Sequence, residues 1–123
     1  MILKTKPVKK ADLRILQSLE KKVLWLSMWM IHNANHLRDS LDGLKVGGHQ
    51  ASSASITTIM TALYFNVLRI EDRVAVKPHA SPVFHAIQYM LGRQTEDKLK
   101  AFRSLGGTQS VSYTHLRAHE TIA

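Results

Sequence analysis

The sequence predicts an α/β fold, mostly helical with one short strand, and three observations carry that reading. Apolar residues recur at helical spacing in four stretches of the 123-residue chain. One pentapeptide, Arg73-Val74-Ala75-Val76-Lys77, alternates apolar and polar residues as a half-buried strand does. A lone strand cannot satisfy its own ladder hydrogen bonds, so it belongs at the start of a parallel sheet whose other strands lie outside this sequence. The chain therefore reads as a truncated piece of a larger domain.

The first helix spans Ala11 to Leu37, with Leu13, Leu16, Leu19, Val23, Leu26 and Met30 spaced three or four apart. It widens into an all-round apolar stretch from Val23 to Ile31, expected to be buried between neighbours with Trp25 and Trp29 in core or interface packing. Asp39 to Gly48 carries Asp42-Gly43 and Gly47-Gly48 and reads as turn and loop. Ser52, Ser53 and Ser55 offer N-caps for a second helix striped with Ile56, Ile59, Met60, Leu63 and Val67. The strand follows, then the loop Pro78-His79-Ala80. Ser81 as N-cap and Pro82 at the first helical position open a third helix, which stops near Gly92. A fourth opens at Thr95, buries Leu99 and Phe102, and ends at Gly106-Gly107.

Composition excludes several classes. Apolar residues make up 45% of the chain and charged ones 21%, which suits a folded segment. There is no cysteine, so disulfides, thiolate metal sites and a cysteine nucleophile are out, and a reducing, cytoplasmic setting fits. No apolar run approaches the ~20 residues that span a bilayer, so no membrane partner is expected. The net charge of +8 is uneven. Residues 1–22, a basic lead-in and the start of the first helix, hold seven basic and two acidic groups. Residues 23–110 hold nine and six. A nucleic-acid reading wants cations clustered on a folded face, and here they sit in a leading arm, so no nucleic acid is expected.

Seven histidines sort by place. His32 and His36, four apart on the first helix, share a face. No glutamate follows the first and no third ligand accompanies them, so they read as helix-end or packing residues, and no metal ligands are assigned. His85 lies inside a helix and reads as structural. His49 and His79 differ, because each sits in a loop at an element terminus. Gly47-Gly48-His49-Gln50-Ala51-Ser52 precedes a helix N-terminus, where free N–H groups favour anions. Pro78-His79-Ala80-Ser81-Pro82 lies past the strand's C-terminal end, the edge where open α/β sheets collect ligands. Two imidazoles over two helix starts suit a diphosphate or carboxylate and can move protons near neutral pH.

At these residues the sequence resembles a known family. Gly47-Gly48-His49-Gln50-Ala51-Ser52, Asp72-Arg73-Val74-Ala75-Val76-Lys77-Pro78-His79-Ala80-Ser81-Pro82, and the helix carrying Tyr89-Met90-Leu91-Gly92 are similar to the N-terminal region of transketolase-like thiamine diphosphate enzymes. The nearest type is the homodimeric pyruvate dehydrogenase E1 component. The resemblance runs from Trp25 through Gly107, roughly two thirds of the chain. It implies that residues 23–110 are part of a thiamine diphosphate-binding domain. It implies that His49 and His79 are site histidines, one holding cofactor diphosphate or substrate and the other over the reacting carbonyl, with Gly48 and Ser81 beside them on the cofactor. The family breaks the carbon–carbon bond next to a carbonyl of a 2-oxo acid or ketose, with the cofactor as electron sink. It also implies a homodimer and a dehydrogenase complex for the full enzyme.

Two departures stand out. Lys77-Pro78 occupies the place where the family usually has a glycine before the histidine, and proline fixes φ and removes a donor. The family's Gly-Asp-Gly motif with a downstream asparagine, which holds Mg²⁺ against the diphosphate, is absent, as is the aminopyrimidine-binding domain with its glutamate. A piece without them is expected to be inactive alone. Residues 111–123, Val111-Ser112-Tyr113-Thr114-His115-Leu116-Arg117-Ala118-His119-Glu120-Thr121 onward, resemble the translation of a sequencing-library adaptor and are set aside from functional reasoning. The alternatives to an enzyme piece are a basic helical nucleic-acid binder using residues 4–22 and an interaction module presenting Trp25, Met28, Trp29 and Met30.

Overall fold

The computed structural model describes residues 10–39, 43, 47, 49–104 and 107. The tail set aside above, the first nine residues and Gly48 lie outside them. The described residues are mostly helical: α1 (Lys10–His32), α2 (Gln50–Ala62), α3 (Ser81–Met90) and the short α4 (Glu96–Lys100). A π-helical turn extends α1 over Asn33–Leu37 and another extends α2 over Leu63–Val67. A 3-10 turn, Pro78–Ala80, leads into α3.

The expected strand is the main correction. Residues 73–77 run extended, with Arg73 in an isolated bridge, and no strand forms among the described residues. The alternation itself holds: Val76 is buried and Val74 half-buried, while Arg73, Ala75 and Lys77 are exposed. Alternation places side chains on two faces, but a ladder also needs a neighbouring extended chain. Beyond the Arg73 bridge, no ladder continues along this segment among the described residues.

The helices differ from expectation at their ends. α2 starts at Gln50, with His49 as N-cap, so Ser52, Ser53 and Ser55 are helical rather than capping. Ala80, not Ser81, precedes α3, because the 3-10 turn already supplies the first bend and Ser81 Oγ donates to Pro78 O at 2.7 Å. α4 ends at Lys100, well before Gly106. Arg103 takes a positive φ of 60°, which breaks the helical run. Thr95 caps α4 as read, its Oγ1 accepting from Lys98 N at 3.3 Å.

α1 packs on both α2 and α3, and α2 on α3. α3 is the centre, with Ser81 through Gln88 all buried. The main core joins Val23 and Leu26 of α1, Met60 of α2, Tyr64, Val76, and Val83, Phe84 and Ile87 of α3. A second cluster gathers Met30, Ala34, Leu99 and Phe102 under Trp29 and Tyr89. The stretch Val23–Ile31 is not wrapped all round: Trp25 is 60% exposed and stacks on Trp29, with ring centroids 6.5 Å apart. α2 buries Ser53, Thr57, Met60 and Thr61 and leaves Ile59 outside. On its hydroxylic face Thr57 Oγ1 donates to Ser53 O at 2.7 Å, as Ser27 Oγ in α1 does to Val23 O, while Thr61 Oγ1 is buried without a partner among the described residues. No helix among the described residues is long and apolar enough to cross a membrane.

Burial pushes the Tyr64 phenol up to about 12, against the opposing pull of the Arg93 charge. The unfolded phenol ionises near 10. The stabilisation from keeping it neutral is therefore full below about pH 10 and is lost as pH rises through about 12. In a phenolate absorbance titration Tyr64 is expected to contribute an ionisation step at about pH 12, together with loss of helical signal. Tyr64→Phe is expected to remove that step.

Candidate functional site

The chain brings His49 and His79 together. Their ring centroids lie 4.7 Å apart at an interplanar angle of 64°, the edge of one ring over the face of the other. Both residues are exposed. His49 has extended backbone (φ −114°, ψ 102°) and makes no side-chain cap bond, so its imidazole is left to meet His79. Its carbonyl accepts from Ser53 N at 3.1 Å and starts α2. The N–H groups of the first turn of α2 have no acceptor within the helix.

A proline turn and two hydrogen bonds put His79 beside it. Pro78 opens the 3-10 turn, a position where the missing N–H costs nothing, and Ala80 N donates to Lys77 O at 2.9 Å to close it. Proline in place of the family's usual glycine thus gives a defined turn here. Ser53, fully buried on α2, donates from Oγ to His79 O at 3.4 Å and ties the two elements. Ser81 lies buried beneath the turn rather than at the open face. Gly48 lies outside the described residues.

The glycine before the loop is pinned from both sides. Asn35, in the π-helical turn after α1, donates from Nδ2 to Gly47 O at 2.7 Å and accepts from Gly47 N at 3.1 Å. Gly47 has φ +81°, where a side chain would be strained, and a Cβ on it would meet Arg103 Nη1 at 3.4 Å. Arg103 also stacks over Phe102, 5.1 Å from the ring centroid, and its partial burial lowers its pKa. Asn35, Ser53 and Arg103 support the site without having been read from the sequence as site residues. Asn35 and Arg103 carry no local signature, and Ser53 was read as a cap.

His85 is structural as expected: fully buried, with the Gln94 side-chain amide Nε2 3.1 Å from its Nδ1 and Phe84 and Phe102 against its ring. The groove of about 490 Å³ lined by Arg14, Ile15, Ser18, Leu19, Lys22 and Met90 shares no residue with the histidine pair. It offers no acid or base of intermediate strength. The pair, by contrast, presents two imidazoles beside a helix start, a donor set for an anion and for proton transfer. Among the described residues no three histidine, aspartate or glutamate side chains converge, so a Mg²⁺ ligand set is not found in them.

No family model matches the chain. Over 104 residues, 77% of this chain, it is 32% identical to the pyruvate dehydrogenase E1 component of Mycolicibacterium smegmatis. Over 98 residues, 74% of this chain, it is 33% identical to the pyruvate dehydrogenase E1 component of Cupriavidus necator. These segments are 11% and 10% of the two proteins, so the chain spans about a tenth of the length of the curated relatives it matches.

Proposed function

We propose that residues 23–110 are part of the diphosphate-binding region of a thiamine diphosphate-dependent E1-type enzyme, with His49 and His79 as its site histidines. The observation that carries this reading is the approach of the two rings to 4.7 Å across 30 residues of chain, beside the first turn of α2. The similarity to two pyruvate dehydrogenase E1 components supports it.

The donor set fits the anionic end of the cofactor. The imidazoles of His49 and His79 and the N–H groups opening α2 would hold a diphosphate or a substrate carboxylate, and Gly48 would let the backbone come close. Ser81 would act from beneath, through the turn that carries His79. When bound, thiamine diphosphate supplies the electron sink for breaking the bond beside a 2-oxo acid or ketose carbonyl. This chain's residues would orient the carbonyl and give or take a proton at a ring nitrogen. The Mg²⁺ ligands and the second subunit's part of the site would come from elsewhere in a full enzyme. The chain alone is therefore expected to show no decarboxylase or ketol-transfer turnover.

The test is a transplant. The aligned segment of the M. smegmatis pyruvate dehydrogenase E1 component is replaced by the matching segment of this chain. Thiamine diphosphate binding and pyruvate decarboxylation are then measured on the purified dimer. Retained cofactor binding and turnover within roughly a hundredfold of the parent are expected, an allowance for small misplacements of site groups. A folded, dimeric chimera that binds no cofactor would remove the proposal.

A further inference from the structure

We propose that His32 and His36 form a two-imidazole chelate for a divalent late transition-metal ion, separate from the His49–His79 pair. His32 is the last residue of α1 and His36 lies in the π-helical turn that continues it. Both are exposed, and their ring centroids are 5.2 Å apart with planes tilted by 36°.

That separation is the one a chelate needs. A metal–nitrogen bond of about 2.0–2.1 Å puts each imidazole centre about 3.1 Å from the ion, and a tetrahedral angle then sets the two centres about 5 Å apart. The helix therefore already holds the two rings at a chelating separation, which lowers the ordering cost of binding.

The turn that carries His36 is held by its neighbours. Asn33 Nδ2 donates to Lys100 O at 2.9 Å, Arg38 Nη1 donates to the same carbonyl at 3.1 Å, and Asn35 is held by Gly47. Those side chains fix the backbone and leave the imidazoles as the borderline-soft donors at this end of the helix. No carboxylate joins them in a three-ligand group among the described residues. The remaining coordination positions therefore fall to water or to a small exogenous ligand. With imidazole donors the affinity order places Cu²⁺ ahead of Ni²⁺ and Zn²⁺.

The full chain provides its own probe. Its two tryptophans, Trp25 and Trp29, lie on α1, and Trp29 is one turn before His32. Added Cu²⁺ is expected to quench their emission saturably, and excess Zn²⁺ to restore it. His32→Ala and His36→Ala are each expected to raise the half-quenching Cu²⁺ concentration at least roughly tenfold, since even loss of an outer-shell partner costs that much. The Cu²⁺ electron paramagnetic resonance spectrum is expected to show two imidazole nitrogens, and one in either variant. His→Gln versions of both sites serve if an alanine variant loses helical signal. His49→Gln, and His115→Ala with His119→Ala, are expected to leave the quenching midpoint unchanged. Unchanged quenching in the His32/His36 double variant, or a midpoint governed by His49 or by the tail histidines, overturns the proposal.

Discussion

Phe102→Ala is expected to shift urea unfolding of the full chain by roughly 2 M, or to leave no folded baseline. Phe102 is completely buried, and it closes the cluster of Met30, Ala34 and Leu99 that joins α1 to α4. Truncating a buried phenylalanine costs about 3–5 kcal/mol, through lost transfer energy and an unfilled cavity. Domains of this size hold only about 5–15 kcal/mol in total. With a urea slope of roughly 1–3 kcal/mol per molar, the midpoint moves by the amount stated. The damage reaches the glycine loop as well. Arg103 rests on the Phe102 ring and against Gly47, so removing the ring unseats the cation behind the His49 loop. Phe102→Leu keeps most of the volume and is expected to cost under about 1.5 kcal/mol. A Phe102→Ala chain with an unshifted midpoint would show that this cluster contributes little.

The place of Phe102 was legible before the structure, as an apolar position seven after the Thr95 cap and three after Leu99. Its role was not, because α4 ends at Lys100 and Phe102 packs from the turn that follows. The same division runs through the chain. Val23, Leu26 and Met30 are buried as their spacing requires, the first two against α2 and α3 and Met30 against Leu99 and Phe102. Leu13 belongs to the same amphipathic stripe yet stays exposed, while Leu16 and Leu19 further along it are only half-buried. Periodicity tells which residues could share a face, and only a neighbour decides whether the face is covered. On α2 the buried residues are mainly serine and threonine. Thr57 bonds back to Ser53 O and Ser53 reaches across to His79 O, so two of these hydroxyls find acceptors although hydropathy ranks them below Ile59.

The histidine pair was more legible than its supports. Loop position, flanking glycine and proline, and adjacent helix starts all mark His49 and His79 in the sequence. Nothing local shows that Ser53 reaches the carbonyl of His79, or that Asn35 clamps Gly47 from twelve residues away. Such contacts depend on how α1, α2 and the 3-10 turn meet. The extended segment 73–77 belongs to the same group. Its alternation is encoded locally, whereas its ladder depends on a partner that sequence spacing does not supply.

Following from the function proposed, the largest effect expected anywhere is on the two imidazoles. In the transplanted enzyme, alanine at the histidine that faces the carbonyl should lower kcat by about 10²–10⁴, the usual contribution of a positioned acid or base. Alanine at the histidine that holds the diphosphate should weaken cofactor affinity instead, with turnover recovering at saturating thiamine diphosphate. The 4.7 Å contact adds a constraint, because removing either ring strips the other of its edge-to-face neighbour. The effects of His49→Ala and His79→Ala should therefore be non-additive, the double variant losing less than the product of the singles. Glutamine at either place retains a donor but cannot carry a proton. It should spare cofactor binding at the first position and leave turnover low at the second. Two variants with parental kcat and parental cofactor affinity would take both rings out of the chemistry, whatever their proximity.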